Sequence, residues 1–417
     1  MLKTFQRLKA AMTPEILPAV ARAESSLERG DPGRPDPGAT AVIEACVDWL
    51  CTAQDRSASA DGGIARDYSL ITGWSTSYPE TTGYIIPTMI DVATRQGRED
   101  LHQRARKMLD WCVDIQFDSG AFQGGKIDAS PFVPVTFNTG QILLGLAAGA
   151  AAYGDARYRR AMQAAADWLR ETQDADGCWR RFPTPFAAPG EKAYETHVAW
   201  GLFEADRVEP GQGWAQAGLR QIDWALTRQQ ANGWFASNCL ANPALPLTHT
   251  IGYVLRGLIE GQRLSGRPDL LAAARRTADG LLPAIDESGR LAGHLDHLWR
   301  PASDYVCLTG SAQIGHCLLL LYGITGNARY RDAGLRLNAY VRKTVRLEGP
   351  AGIRGGVKGS FPMAGGYGRF QYLNWAAKFC IDANLLECDI GCLGAGAARI
   401  SDDAKPARTT GPSHAIG

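Results

Sequence analysis

"DWLRETQDADGCW" (residues 167–179) is one copy of a phrase that recurs along the chain. Each copy has a tryptophan, a glutamine five residues later and then a turn that contains glycine. The Trp–Gln pairs are Trp49–Gln54, Trp111–Gln116, Trp168–Gln173 and Trp224–Gln229. The turn glycines are Gly63, Gly120, Gly177, Gly233 and Gly289, spaced by 57, 57, 56 and 56 residues, followed by a degenerate sixth copy at Gly352. Such a constant period indicates stacked copies of one supersecondary unit.

Each unit contains two helical patterns of different character. Segments such as "NTGQILLGLAAGA", from Asn138, are apolar nearly all round, which is typical of helices buried on most sides. Segments such as "ARYRRAMQAAADWLRETQ", from Ala156, are amphipathic with one charged face. Six hairpins, each with one inner and one outer helix, predict an all-α (α/α)6 toroid. The recurrent Trp and Gln are interpreted as scaffold residues that join neighbouring hairpins.

The repeat also carries a family resemblance. The form Q-x-x-D-G-x-W at residues 173–179 is similar to the repeat of squalene cyclases and prenyltransferases, whose α/α toroid is shared by six-hairpin glycosidases and by uronyl lyases and epimerases. The stretches "SYPETTGYIIPT" (from Ser77), "CLTGSAQIGH" (from Cys307) and "GSFPMAGGYGRFQYLNWAAKF" (from Gly359) resemble helical proteins of bacterial polysaccharide biosynthesis. The resemblance covers residues 40–387 and implies the toroid fold.

Composition and the chain ends narrow the remaining possibilities. Lys+Arg 44 against Asp+Glu 43 gives a charge of +1, so no general attraction to nucleic acid or anionic membranes is expected. No apolar run suggests a signal peptide or a membrane span, and the ten cysteines are scattered, which together favour a cytoplasmic protein with reduced thiols. We expect residues 1–38 to form a helical extension and a Pro/Gly linker, 39–387 the toroid, and 388–417 a disordered tail.

Polar residues concentrate in the long loops and at the predicted inner-helix starts, which meet at one face of such a ring. The candidate catalytic residues there are Glu80, Glu195, His249, Asp67 and Tyr305. The candidate substrate-binding residues are Arg66, Tyr68, Trp74, Tyr78, Tyr84, Asn138, Gln141, Arg181, Tyr194, His197, Tyr253, Arg300, Asp304, Gln313, Lys358, Tyr367 and Arg369. Alignment of the inner helices puts Tyr84, Gln141, His197, Tyr253 and Gln313 at equivalent positions, facing the ring axis. Glu80 and Glu195 also suit a helix-capping role, since each stands at a helix start.

Aromatic faces together with carboxylates and amides are what a sugar polymer requires. The excess of Arg, Lys, Tyr and His over carboxylates suggests an acidic sugar. We therefore predict a carbohydrate-active enzyme that cleaves a glycosidic bond in a uronate-containing polysaccharide or oligosaccharide, as a hydrolase or a lyase. Paired carboxylates would serve hydrolysis, whereas a Tyr or His base with an Arg or Asn partner would serve β-elimination or uronyl 5-epimerisation. The sequence leaves these reactions open.

Two rival functions remain at this point. A terpenoid cyclase or prenyltransferase would need a D-x-D-D or D-D-x-x-D string, and neither occurs. Cys307, His316 and Cys317 could suggest a zinc site, but the latter two lie in an apolar helix and favour core packing. The other rival is a non-catalytic glycan-binding scaffold. No cofactor or metal is predicted, and the oligomeric state is left open.

Overall fold

In the computed structural model, which describes residues 17–28 and 34–403 and side chains as far as Cys392, helices form two concentric layers. In chain order they are α1 (Ala19–Leu27), α2 (Ala39–Asp55), α3 (Pro79–Gln96), α4 (Glu99–Asp114), α5 (Thr136–Tyr153), α6 (Ala156–Thr172), α7 (Thr196–Val208), α8 (Trp214–Leu226), α9 (Thr248–Ser265), α10 (Pro268–Leu281), α11 (Leu308–Thr325), α12 (Ala328–Thr344) and α13 (Asn374–Asp403). Short 3-10 helices cover Ala193–Glu195 and Leu282–Ala284.

The odd-numbered helices from α3 to α13 form the inner layer, and the even-numbered ones from α2 to α12 form the outer layer. Each inner helix contacts the next, α13 contacts α3, and α2 packs against α13, so the ring is closed. The inner helices α5 and α11 are buried along most of their length because both of their faces meet other helices. The predicted (α/α)6 toroid is confirmed.

The recurrent phrase joins neighbouring hairpins. Nε2 of Gln173, at the end of α6, donates hydrogen bonds to the carbonyls of Gly177 (2.9 Å) and of Ala217 (2.8 Å) in the next outer helix. Gly177 has φ +92°, and a Cβ there would overlap the carbonyl oxygen of Arg220. The phrase recurs along the chain because each turn must fit against the following outer helix.

The two ends of the series depart from the predicted spacing. The left-handed glycines in the first and last turns are Gly62 (φ +108°) and Gly355 (φ +78°), not Gly63 and Gly352. A Cβ on Gly355 would overlap the carbonyl oxygen of Ala45 in α2. The sixth turn therefore fits against the first outer helix, which is the contact that closes the ring.

Short strands support the loops at the face where the inner helices begin. They are β1 (Asp67–Ser69), β2 (Gly73–Trp74), β3 (Val306–Cys307), β4 (Ser360–Phe361) and β5 (Gln371–Leu373). An antiparallel sheet has the order β2-β1-β5, with Tyr68 opposite both Trp74 and Tyr372, and β3 pairs with β4. Since β1 follows the first outer helix and β5 precedes the last inner helix, this sheet ties the two ends of the toroid together.

Both chain termini contribute helices. The α1 helix packs on the loop before α13 through buried acidic residues: Glu28 pairs with Lys358, and Glu24 pairs with Arg346. At the other end, α13 continues to Asp403, past the predicted toroid boundary at residue 387. Residues 404–417 of the predicted tail lie outside the described residues. No helix within the described part of the chain has the length and apolarity needed to cross a bilayer.

Candidate active site

A cavity of about 210 Å³ opens on the ring axis at the face where the inner helices begin. Helix N-termini present unpaired N–H groups and positive dipole ends, so this face suits polar and anionic ligands. The cavity is lined by Arg66, Tyr78, Glu80, Tyr84, Phe137, Asn138, Thr184, Phe186, Ala187, Tyr194, Leu240, His249, Tyr253, Tyr367 and Trp375.

Glu80, in the first turn of α3, brings a carboxyl group into this cavity. Its Oε2 accepts hydrogen bonds from the Tyr78 hydroxyl (3.0 Å) and from Nδ2 of Asn138 (3.2 Å). Burial raises the pKa of Glu80 to about 7, although the bond from Tyr78 and the charge of Arg66 oppose this rise. Because Oε2 already accepts two bonds, the proton of the neutral carboxyl belongs on Oε1. Glu80 can therefore act as an acid near neutral pH.

His249, in the first turn of α9, is held in one tautomer. Its Nδ1 lies 2.5 Å from Oε1 of Gln313 in α11. Since an amide oxygen only accepts, Nδ1 carries the proton and Nε2 carries the lone pair. Burial lowers the pKa of His249 to about 4, against the effect of the Gln313 bond, so the imidazole is neutral at pH 7. Nε2 has no hydrogen-bond partner among the described residues, and the side chain lines the cavity.

The two groups lie on opposite sides of the ring. The helices α3 and α9 begin the first and fourth hairpins, which face each other in a ring of six. Tyr84 of α3 and Tyr253 of α9 both line the cavity, and both pack on Phe379 of α13, with ring centroids 5.6 Å and 6.2 Å away. A ligand on the axis would therefore have Glu80 on one side and His249 on the other.

The equivalent inner-helix positions converge, as their alignment predicts. Tyr253 lies between His197 and His249, with ring centroids 4.4 Å from each. Nδ1 of His197 lies 2.6 Å from Oε1 of Gln141, which repeats the pairing of His249 with Gln313. His197 and Gln141 do not line the cavity; they lie beneath Tyr253 and are fully buried.

Arg66 is the cation of the cavity. Its guanidinium lies 4.9 Å from the ring centroid of Trp375, and its Nη1 pairs with Asp67 at 2.9 Å. The other N–H groups of Arg66 have no hydrogen-bond partner among the described residues. Asp67 itself is buried behind Arg66 and does not line the cavity. Arg66 is therefore fixed in direction and still able to bind an anion.

Glu195 lies in a neighbouring cavity. This second space, of about 250 Å³, shares Phe137, Thr184 and Tyr194 with the first. Burial raises the pKa of Glu195 to about 8, and its Oε2 has no hydrogen-bond partner among the described residues. Two of the candidate catalytic carboxylates, Glu80 and Glu195, therefore lie in two adjacent cavities, and the pKa of each is raised.

Several other predicted site residues lie in scaffold contacts rather than in the cavity. Tyr68 and Trp74 pack on each other (5.0 Å between centroids) in the strand sheet, and Trp74 also packs on Trp49. Arg181 donates to the backbone carbonyls of Glu171 and Thr172.

Predicted site residues in the loops before α11 and α13 also make contacts outside the cavity. Tyr305 packs edge-on to His294, the backbone carbonyl of Asp304 accepts from Arg290, and Arg300 pairs with Asp296 at 2.8 Å. Lys358 is buried in its ion pair with Glu28, and the guanidinium of Arg369 lies over the ring of Phe370. Lys358 cannot reach a substrate while this pair is intact, because α1 covers it.

Several lining residues are not among the predicted ones. They are Phe137, Thr184, Phe186, Ala187, Leu240 and Trp375. Trp375 could have been found, since it follows the start of α13 as Glu80 follows the start of α3, and its Nε1 donates to the Tyr367 hydroxyl at 3.0 Å. The segment with Thr184 and Phe186 carries no periodic signal. It reaches the cavity through a tertiary bond from the Ala188 N–H to the Leu240 carbonyl (2.6 Å).

The cysteine and histidine residues considered for zinc do not form a site. Sγ of Cys317 lies 3.9 Å from the Gly252 carbonyl, and His316 lies beside Arg256 with its pKa lowered to about 3 by burial. Among the described residues, no three His, Cys, Asp or Glu side chains converge as a metal ion would require.

Comparisons with known proteins agree with this architecture. A model of the squalene-hopene cyclase C-terminal domain matches residues 76–257, which run from the first inner helix, α3, into the fourth, α9. The solved structure of an unsaturated glucuronyl hydrolase specific for heparin is similar, with 13% identity and a TM-score of 0.67 over 84% of this chain and 96% of that one. The chain has an α/α toroid fold. The resemblance of the repeat to toroid proteins is thereby confirmed.

Two further solved structures share the fold. An unsaturated glucuronyl hydrolase from Bacillus sp. GL1, described as responsible for the degradation of glycosaminoglycan, is 15% identical with a TM-score of 0.62, over 82% of this chain and 96% of that one. A cellobiose 2-epimerase from Bacillus thermoamylovorans is 11% identical with a TM-score of 0.65, over 84% and 97%. No curated protein matches the sequence significantly.

Proposed function

We propose that the protein is a carbohydrate-active enzyme that cleaves a glycosidic bond in a uronate-containing polysaccharide or oligosaccharide by β-elimination. One observation carries the proposal: a carboxyl group that holds its proton near neutral pH and a neutral imidazole with a free Nε2 line the same axial cavity. Proton abstraction next to a carboxylate needs such a base, and departure of a sugar oxygen needs such an acid.

The walls of the cavity support a sugar substrate. Tyr78, Tyr194, Tyr367 and Trp375 offer ring faces for the C–H faces of a pyranose, and their polar tips can bind hydroxyl groups. Arg66 supplies the cation that a uronate carboxylate requires. Solved toroids with this fold include proteins named glucuronyl hydrolases and sugar epimerases, which also supports carbohydrate chemistry.

The proposed reaction follows from these positions. With the uronate carboxylate on Arg66, Nε2 of His249 removes the proton from carbon 5, and Arg66 stabilises the charge that develops on the carboxylate. The electron pair forms the double bond between carbons 4 and 5 as the bond from carbon 4 to the leaving oxygen breaks. Glu80 gives its proton to that oxygen. The bound anion also raises the pKa of His249, which makes the imidazole a stronger base in the complex.

Hydrolysis by two carboxylates fits the cavity less well. Glu80 is the only carboxyl group among the described residues that line it. Asp67 is paired with Arg66, Glu195 lies in the adjacent cavity, and Asp304 lies outside both. A second carboxylate would have to activate a water on the opposite face of the sugar, and His249 occupies that side.

Uronyl 5-epimerisation is the second candidate, because Glu80 and His249 lie on opposite sides of the axis. Removal of the carbon 5 proton by His249 and return of a proton to the other face by Glu80 would invert that centre without cleavage. The same residues would serve both reactions. The position of the leaving oxygen relative to Glu80 would decide between them.

A role in making rather than degrading a polysaccharide, and a cytoplasmic location, stay predictions from the sequence.

The test uses purified protein with a panel of uronate-containing and neutral polysaccharides in heavy water. Elimination predicts ultraviolet absorbance from the new carbon–carbon double bond together with new chain ends, only with uronate substrates. Epimerisation predicts deuterium at carbon 5 without cleavage. The variants Glu80→Gln and His249→Asn should lose either activity, whereas Glu171→Gln, on the surface of α6, should keep it. Chain ends without the double bond would contradict elimination, and binding without any reaction would favour a glycan-binding scaffold.

A further inference from the structure

The second cavity shares part of its wall with the first. Phe137 and Tyr194 pack edge to face, with centroids 5.2 Å apart, and line both spaces together with Thr184. Trp179 lines the far side of the second cavity, and its Nε1 is fixed by the Leu169 carbonyl at 2.8 Å. A pyranose in the first cavity would therefore have a second aromatic-lined space of similar size directly beside it.

Two buried polar groups face this second cavity without using their binding capacity. Glu195 is 5% exposed, and its Oε2 has no hydrogen-bond partner within the part of the chain that the structure describes. Lys192 is 7% exposed and forms no ion pair within 4.0 Å with any described residue. Buried polar groups are nearly always satisfied, so an unpartnered carboxyl oxygen and an unpaired ammonium in one cavity indicate that a ligand completes them.

The loop that forms the cavity is held in place without a ligand. Arg180 donates to Asp176 and to Glu191, each at 2.6 Å, and the other oxygen of Glu191 accepts from Arg228 at 2.8 Å. The Ala193 N–H bonds the Ser237 carbonyl at 2.8 Å. These contacts use the charge of Arg180 within the protein, which leaves Lys192 as the cation available to a ligand, in a preformed space.

We propose that the second cavity binds the sugar unit next to the one held in the first cavity, and that Lys192 and Glu195 recognise an oxyanion substituent, a carboxylate or a sulfate ester, on that unit. This inference rests on the proposed function and extends it, because it makes the minimal substrate a disaccharide with negative charge on both units. Lys192 pairs with the oxyanion, and the carboxyl proton of Glu195 is donated to one of its oxygens. Glu195 then has a binding role and no role in proton transfer to the reacting carbon.

The experiment measures binding by calorimetry to protein carrying Glu80→Gln, which prevents turnover. The probes are glucuronic acid and three disaccharides in which a neutral, a carboxylated or a sulfated unit is joined to oxygen 4 of a uronate, the bond that elimination would break. We expect the carboxylated or the sulfated disaccharide to bind about tenfold more tightly than the neutral one, and the tighter of the two identifies the source of the oxyanion. Lys192→Met should remove this difference without changing the binding of glucuronic acid. The exposed Lys107→Met, on α4, should keep it.

A second variant tests the role of Glu195 without removing a buried charge. Glu195→Gln keeps the shape and a donor, so the preference for the anionic disaccharides should persist at pH 6. Above pH 8 the carboxyl group of wild-type Glu195 ionises and, like the carboxylate of Glu191, repels the oxyanion, whereas Lys192 and Arg180 still attract it. The preference for the anionic disaccharides should therefore fall above pH 8 in the wild type and persist in the Gln variant.

The outcomes separate this inference from the proposed function. Equal binding of neutral and anionic disaccharides by the wild type, or equal weakening of every probe by Lys192→Met, would overturn the inference alone. A lack of binding by glucuronic acid and by all three disaccharides would contradict the proposed function and this inference with it.

Discussion

His249 and Gln313 are joined across the boundary between the fourth and fifth hairpins, with Nδ1 of His249 donating to Oε1 of Gln313 at 2.5 Å. A similar pair joins His197, in the third hairpin, to Gln141 in the second, so there the glutamine comes from the preceding hairpin and not from the following one. Only the His249 pair reaches the axial cavity. The glutamine therefore fixes which imidazole nitrogen is a base, and the ring position decides whether that base can meet a ligand.

Substitution of Gln313 tests this relationship. Gln313→Leu should lower kcat about 10- to 100-fold with little change in KM, because the base loses its fixed tautomer while the cavity walls remain. Gln313→Glu should raise the pKa of His249 and move the acidic limb of the pH–rate profile upward, since an anionic partner stabilises the imidazolium. Gln141→Leu is the matched control and should have a much smaller effect. Equal losses from both leucine variants would argue for a general packing role instead.

The pH dependence of kcat/KM should be bell-shaped. The base must be unprotonated, so activity rises as the pH passes the pKa of His249, about 4. The acid must be protonated, so activity falls as the pH passes the pKa of Glu80, about 7. Tyr78→Phe removes a hydrogen bond that lowers the pKa of Glu80, so the alkaline limb should move upward in that variant. A limb that stays in place would remove Glu80 from the role of acid.

The turn glycines should be required for stability and not for activity. Gly177→Ala combines a left-handed backbone with overlap of the Arg220 carbonyl, and should lower the free energy of unfolding by about 3 kcal/mol. Gly266→Ala is the control, because Gly266 has φ +68° with open space around it and should cost only about 1 kcal/mol. Denaturant unfolding of both variants checks this. Similar losses in the two would show that the fit to the next outer helix contributes little.

Lys358 should act on stability rather than on substrate binding. Lys358→Met leaves the Glu28 carboxylate buried and unpaired, which should cost about 3 to 5 kcal/mol of stability. The double variant Glu28→Gln, Lys358→Met should recover most of that loss, with KM unchanged. Thermal unfolding and steady-state kinetics measure the two effects. A raised KM with unchanged stability would instead show that Lys358 binds substrate, as the sequence predicts.

The sequence predicts the types of residue in the site better than it predicts which of them line the cavity. Glu80, Asn138 and His249 could be selected because each stands in the first turn of an inner helix, and six such turns must converge at one face. Lys358 and Tyr68 have equally suitable chemistry. Their location depends on α1 and on the strand sheet, whose contacts join residues hundreds of positions apart and leave no periodic signal.

The sequence predicts the toroid without any tertiary information, because the 56- to 57-residue period and the two helix types are local patterns that the hairpins repeat. It also determined that the polar residues collect at one face, since every inner helix begins with them. The placement of Glu80 and His249 in one cavity and of Glu195 in the next depends on contacts between distant segments, which no local pattern predicts. The loop at residues 180–192 divides that face into two spaces, and long-range hydrogen bonds to the following hairpin set its course.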